Sequence, residues 1–229
     1  MRRIILTAVV ALLVVSSGCV GLITGETVEF EANDASVEDA EVDSTDYTLN
    51  NSSERSITRD VSFLGQERTI RIVNQLNRHT KNGTLAEATG NETLALAVER
   101  DRVDATNVPD LAQFVVVSSP GAKVLGQTLN PAASWSNERI LEQVADQTGK
   151  LNDLDKEETR TAESLGEDRN VSEFSATTNM KGKEVDVRAH VVSYEHEGDV
   201  IIAVGVHPEA MDEEDNVDEL LEGIEHSGD

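Results

Sequence analysis

Cysteine occurs once in this 229-residue chain, at Cys19. A lone thiol excludes an internal disulfide framework and any cysteine-based metal cluster. Aromatic residues number only seven, so Val, Leu, Ile and Ala must build the core. Basic residues are scarce as well: 19 Lys and Arg stand against 44 Asp and Glu, for a net charge of −25. Without a basic patch the chain has no electrostatic footprint for nucleic acid, and an anionic membrane surface repels it. No Walker loop, dinucleotide fingerprint, zincin helix or Ser-x-x-Lys signature occurs. Ser118-Ser119 precedes Pro120-Gly121 without the flanking glycines of a nucleophile elbow. No cofactor is implied by any of this.

What is present begins at the N-terminus. Arg2-Arg3 leads into Ile4–Val15, apolar except for Thr7, and then into Ser16-Ser17-Gly18-Cys19. This is the layout of an export signal, with the only thiol placed where a lipoprotein signal carries its lipid. Two acyl or ether chains on Cys19 would anchor the protein at about 0.8 kcal/mol per buried CH₂. Ser16 departs from the Leu usual in bacterial lipoboxes. Two other readings stay open. Ile4 to Gly25 carries no charge and is long enough for an uncleaved membrane anchor. Small residues at Ser16 and Gly18 also suit an ordinary signal peptidase and a secreted product. Arg2-Arg3-Ile4-Ile5-Leu6 resembles the core of a twin-arginine signal, so the export route is open too.

The expected organisation is a signal peptide at 1–18, a lipidated cysteine and tether at 19–26, and one domain at 27–229. Cleavage before Cys19 removes Arg2 and Arg3 and no acid, leaving 17 bases against 44 acids and a net charge of −27. Such an excess means either disorder or adaptation to strong salt. Regular apolar alternation through the body favours the second, and with it a halophilic archaeal envelope protein on the outer face of the cell membrane.

Alternation at Val28 and Phe30 predicts a first strand, and Ser36-Val37-Glu38-Asp39 predicts a capping box before a short helix. Residues 46–50 read as extended. Ile57, Val61 and Phe63 alternate, as do Ile70, Ile72 and Leu76, predicting a hairpin turning at Leu64-Gly65-Gln66. Thr80–Thr93 reads as a loop, and Leu94–Val103 fits neither period. Phe114–Val117 reads as a buried strand stopped by Pro120-Gly121, and Asn130-Pro131 as a break. Ser136 caps a helix with the stripe Ile140, Leu141, Val144 and Ala145, and Gly149 lies beyond its end. Strands follow at Val171–Thr178, Glu184–His196 and Val200–His207. Asn216 caps a last helix with the stripe Val217, Leu220, Leu221 and Ile224. The fold class expected is α+β: a single domain with an antiparallel sheet and helices packed on one face.

Five histidines occur. His190 and His196 share a face of one predicted strand, and His207 near the end of the next approaches one of them. These three are the candidate metal ligands, although solvent-facing or structural histidines are the simpler reading. The acid clusters Asp153–Glu158 and Asp212–Asp218 lack the mid-loop glycine of a calcium site and read as solvated surface. Trp135 packs at the start of its helix. Asn50, Asn51, Asn82, Asn91 and Asn170 head Asn-X-Ser/Thr sequons, candidate glycosylation sites on an exported protein.

Four features in order resemble a family of uncharacterised haloarchaeal membrane-anchored lipoproteins, a domain of unknown function. They are Ser119-Pro120 ahead of Gly126, the Leu129-Asn130-Pro131 turn, Val185–Val206 ending in His207-Pro208-Glu209-Ala210, and the tail Leu220-Leu221-Glu222-Gly223-Ile224. The resemblance implies an exported α+β domain and brings no catalytic residues. The C-terminal half is loosely similar in layout to PsbP-like domains, which act as accessory or assembly subunits. The expected function is a lipid-anchored accessory or binding module for an envelope protein or small ligand. The alternatives are an envelope hydrolase with dispersed catalytic residues and a solute-binding lipoprotein. A mature length of 211 residues is short for the two lobes of a solute-binding protein.

Overall fold

The computed structural model describes residues 26–90, 107–124, 127–148 and 150–228. Four hairpins organise it. Each turns on two residues, the second a glycine: Leu64-Gly65, Leu165-Gly166, Lys181-Gly182 and Glu197-Gly198. All eight residues have positive φ, which matches the twist of antiparallel strands and which glycine adopts without a Cβ penalty. The strands so joined are β3 (Thr48–Phe63) with β4 (Gln66–Thr84), and then β8 (Asn152–Ser164), β9 (Glu167–Met180), β10 (Lys183–His196) and β11 (Asp199–Pro208). With β1 (Val28–Glu31) and β5 (Asn107–Pro120) they form one eight-stranded sheet. Its order is β3-β4-β5-β11-β10-β9-β8. The short β1 runs parallel to β4 at residues 70–73, and β5 pairs antiparallel with β4 over residues 75–84. Two small ribbons lie off this sheet: β2 (Ala35–Val37) with β12 (Ile224–His226), and β6 (Lys123–Val124) with β7 (Gln127–Thr128).

Strand β11 shows why the sheet is covered on both sides. Val200 to Val204 is an unbroken apolar run, and every residue in it is buried. Ile201 and Ala203 face Phe114, Val116, Leu220 and Leu221, with helix α4 (Glu214–Glu222) on that side. Val200, Ile202 and Val204 face the opposite way, toward Ile140 and Leu141 of helix α3 (Asn137–Thr148). Two short α-helices, α1 (Asp39–Ser44) and α2 (Leu85–Thr89), and a 3-10 helix at Pro131–Ser134 complete the set among the described residues.

The α+β expectation is therefore corrected. Of the described residues, 62% are strand and 19% helix, so the domain is mostly β. The sheet is mixed because of β1, and helices pack on both of its faces. The miscount arose largely from polar strands. Asn152–Ser164 reads as an acid cluster with no apolar alternation, yet it is a 13-residue edge strand paired along β9. Thr80–Thr93 is not a loop as far as it is described. Strand β4 runs on to Thr84, which then caps α2 reciprocally with Glu87.

Smaller corrections have similar causes. Ser36 lies in β2 rather than capping α1, which follows Glu38. Helix α4 starts after Glu213, so Asn216 is inside it and instead donates its amide to the Glu213 carboxylate at 2.9 Å. Ile224 has left that helix for β12. The readings at Leu94–Val103, Gly126 and Gly149 lie outside the described residues. Ser136 does cap α3, accepting from the Arg139 amide at 3.3 Å. Trp135 packs half-buried beside the helix it precedes, under the Arg139 guanidinium at 5.2 Å.

Candidate functional site

Antiparallel register gathers one polar cluster on the α4 face of the sheet. His190 lies opposite Glu173 on β9 and Gly205 on β11, while Arg188 lies opposite His207. Arg160 comes from β8, opposite Val171. Gly205 lets α4 approach the sheet here, since a Cβ on it would meet Val217 of α4 at 3.2 Å. His190 and His207 stack with ring centroids 5.1 Å apart and planes 15° from parallel. Both are buried, and Glu173 is 0% exposed.

The hydrogen bonds fix where each proton sits. His207 Nδ1 lies 2.9 Å from the Pro208 carbonyl oxygen, which only accepts, so Nδ1 carries the proton and Nε2 is bare. His190 Nε2 lies 2.9 Å from that bare nitrogen and must donate to it. His190 Nδ1 is then an acceptor, facing Arg160 Nη2 at 3.5 Å. Both rings are neutral because burial disfavours the charged form of each. Burial pushes His190 down to about 3, and then the repulsion that a second charge beside His207 would meet and the cations Arg160 and Arg188 add to it. Burial also lowers His207. The 3.6 Å approach of His190 Nδ1 to Glu173 Oε1 is thus no salt bridge. Both atoms are acceptors turned toward the same guanidinium.

Arg160 is the hub of the charges. Its Nε pairs with Glu173 Oε1 and lies 3.5 Å from Glu214, and Nη1 pairs with Asp218. Burial works against this cation, and hydrogen bonds to Asp218 and Glu173 outweigh it, so its pKa is raised. Arg188 Nη1 stands 3.7 Å from the other Glu173 oxygen. Nearby, the buried Glu213 accepts from Lys81 Nζ at 2.9 Å, and burial, followed by the charge of Glu213, pushes the Tyr47 hydroxyl upward. The second acid cluster is therefore only partly solvated surface. Glu213 and Asp218 turn inward, whereas Asp155 to Glu158 on β8 are exposed.

The candidate metal ligands divide. His190 and His207 meet, as the strand spacing suggested for one of the pair. His196 does not join them. It shares the His190 face but sits at the far end of β10 beside His226, ring centroids 5.4 Å apart. Sequence reasoning missed Glu173 and Arg160. Glu173 gives a faint signal, an acid lodged between Val171 and Phe174, but Arg160 lies in a strand with no apolar period. Of the sequon asparagines, Asn50, Asn51, Asn82 and Asn170 are exposed. Asn91, like Cys19, lies outside the described residues.

A glutamate and two imidazoles are the residue types of general acid–base chemistry. Here they are sealed between the sheet and α4, and their hydrogen bonds run to one another, to Arg160 and to main chain. Residues 34–225 match the domain of unknown function DUF6517. The chain belongs to this family. No curated protein matches it. Most of the DUF6517 domain is thus the sheet just described, with the buried histidine pair at its centre.

The neutral pair gives the domain a definite response to acid. Burial lowers His79 as well as His190 and His207, below an unfolded value near 6.5. As pH falls below about 6.5 the unfolded chain takes up protons that the folded rings refuse. Stability then declines by up to about 1.4 kcal/mol per pH unit for each ring. Thermal melts at constant salt should show Tm dropping steadily from pH 6.5 to pH 5.5. A flat Tm over that interval would mean that the rings accept protons without opening the fold.

Proposed function

We propose that this protein is a lipid-anchored extracytoplasmic accessory or binding module, held on the outer face of a halophilic archaeon's membrane and without catalysis of its own. The observation that carries the non-catalytic half is the closure of the His190–His207–Glu173 cluster. A hydrolase needs its base within hydrogen-bond reach of a substrate atom, and these groups are enclosed by the fold. The layout of the first nineteen residues supports the anchor, and the acidic composition supports the halophilic setting. No helix among the described residues is long and apolar enough to cross a membrane. The lipoprotein, haloarchaeal and PsbP-like readings rest on sequence alone.

An accessory module also needs surface to offer a partner. Strand β3 pairs only with β4 among the described residues, and most of its sixteen residues are exposed, Leu49 and Ile57 included. Edge strands of this length present unpaired backbone groups to a neighbour.

Cys19→Ser tests the anchor. Wild-type protein should start at Cys19, exceed its peptide mass by a lipid and stay with membranes through carbonate washing. The variant should be released or retained as an unprocessed precursor. Intact mass spectrometry showing Met1–Gly18 retained in wild type, or Cys19 exposed without lipid, would remove the anchor from this reading.

A further inference from the structure

We propose that His196, Glu197 and His226 form a binding site for a zinc-class divalent metal ion, distinct from the buried histidine pair. The three residues converge where the β10–β11 turn meets β12, near the C-terminus. Each offers one donor atom, and these atoms lie within 4.8 Å of one another. Two imidazole nitrogens and one carboxylate oxygen suit zinc with its fourth position open. Calcium and magnesium prefer all-oxygen shells, and no thiolate is present to favour copper(I).

The state of His226 points to the ion. Its Nε2 lies 3.1 Å from Asp199 Oδ2, and a carboxylate accepts, so Nε2 carries the proton. In the neutral ring Nδ1 then holds a lone pair. That nitrogen belongs to a side chain with no exposure and makes no hydrogen bond. It faces Glu197 Oε2 at 3.7 Å, so with the ring neutral two acceptors confront each other. A metal ion resolves that confrontation. The carboxylate behind the imidazole is also the arrangement that orients metal-binding histidines and raises their basicity. Asp199 is itself held in place, accepting from the Asn33 main-chain amide at 2.9 Å and from its side-chain amide at 3.2 Å.

The space between these donors is kept open by a glycine. A Cβ on Gly228 would run into Glu197 Oε2 and come within 2.9 Å of His226 Nδ1, in the corner an ion would occupy. The turn that presents Glu197 is held too, since the Gly121 amide donates to the Gly198 carbonyl at 2.9 Å. Tetrahedral zinc sets its donors about 3.3 Å apart. Glu197 is half-exposed on the turn and His196 half-buried at a strand end, so both have freedom to close the remaining distance. Occupied, the site would clip β12 to the β10–β11 turn.

The test uses the metal-stripped full chain in detergent, titrated with Zn²⁺ by calorimetry, with excess Mg²⁺ present to occupy surface carboxylates. One ion per chain is expected. Glu197→Gln and His196→Ala should each weaken binding at least about tenfold. Gly228→Ala, which leaves every ligand in place, should do the same by filling the gap. Co²⁺ in place of zinc should give visible absorption in the wild type that the three variants lose. Metal-free melts identify any variant that fails to fold, and the remaining variants then decide. No zinc uptake by the wild type would overturn the proposal. Unchanged affinity in any folded variant would overturn it equally.

Discussion

Replacing Arg160 with alanine should destabilise the domain by about 3–5 kcal/mol, the usual loss when one member of a buried ion pair is removed. For a domain of this size that corresponds to a fall in Tm of roughly 10 °C or more. Glu173 has no exposure, and its Oε1 is paired by Arg160 alone among the close contacts. Without the guanidinium its charge is buried with only Arg188 at 3.7 Å to offset it. His190 Nδ1 loses its donor in the same step, and Asp218 its partner. Arg71→Ala is the control. Its pair with Glu29 spans 3.0 Å, but both side chains are about half exposed, and such pairs contribute roughly 0–1 kcal/mol. The double variant Arg160→Met, Glu173→Leu should recover part of the loss, because it removes both charges and keeps apolar volume. An Arg160→Ala protein melting within a degree of wild type would show that the cluster is not an integral part of the fold.

Strong salt should raise Tm by roughly 10 °C over dilute buffer, equivalent to a few kcal/mol for a domain of this length. A net charge of −25 repels itself, and at about 1 M salt the Debye length shrinks to roughly 3 Å. Local crowding is visible in the fold. Glu225 and then Glu41 push the fully exposed Glu38 carboxyl upward, which like charges in proximity do. Burial first, and then Glu173, raise Glu214. Edge strand β8 adds Asp153, Asp155, Glu157 and Glu158, all exposed within six residues. Circular dichroism melts across a KCl series measure the effect, and a Tm independent of salt would refute it. Surface pairs such as Lys123–Glu195, 2.6 Å apart, work the other way because salt weakens them. They are few beside 44 acids.

Much of the sheet is legible in the sequence. Val28–Glu31, the hairpin at Leu64-Gly65 and the three strands between Val171 and His207 all declare themselves by period-two alternation or β-branched runs closed by glycine turns. Asn152–Ser164 was not legible, because an edge strand exposed along most of its length needs no apolar residues. Its pairing energy comes from backbone bonds to β9, which leave no trace in side-chain type. Fold class failed for that reason, and because β1 contributes a parallel edge that four residues do not announce.

Local sequence by itself determined three of the four hairpin turns, at Leu64-Gly65, Lys181-Gly182 and Glu197-Gly198, the scarcity of thiols and bases, and the placement of His190 and His196 on one side of β10. These follow from φ preferences and the two-residue repeat, which operate over a few positions. Only tertiary structure decided which partners each strand face met. His207 reaches His190 because β10 and β11 pair in one register. His196 finds His226 because the chain returns after α4 to pair with β2. Glu213 and Asp218, solvated by composition, turn inward because α4 lies over Lys81 and Arg160. Register and helix docking are set by burial summed over residues far apart in the chain, a quantity that no short window contains.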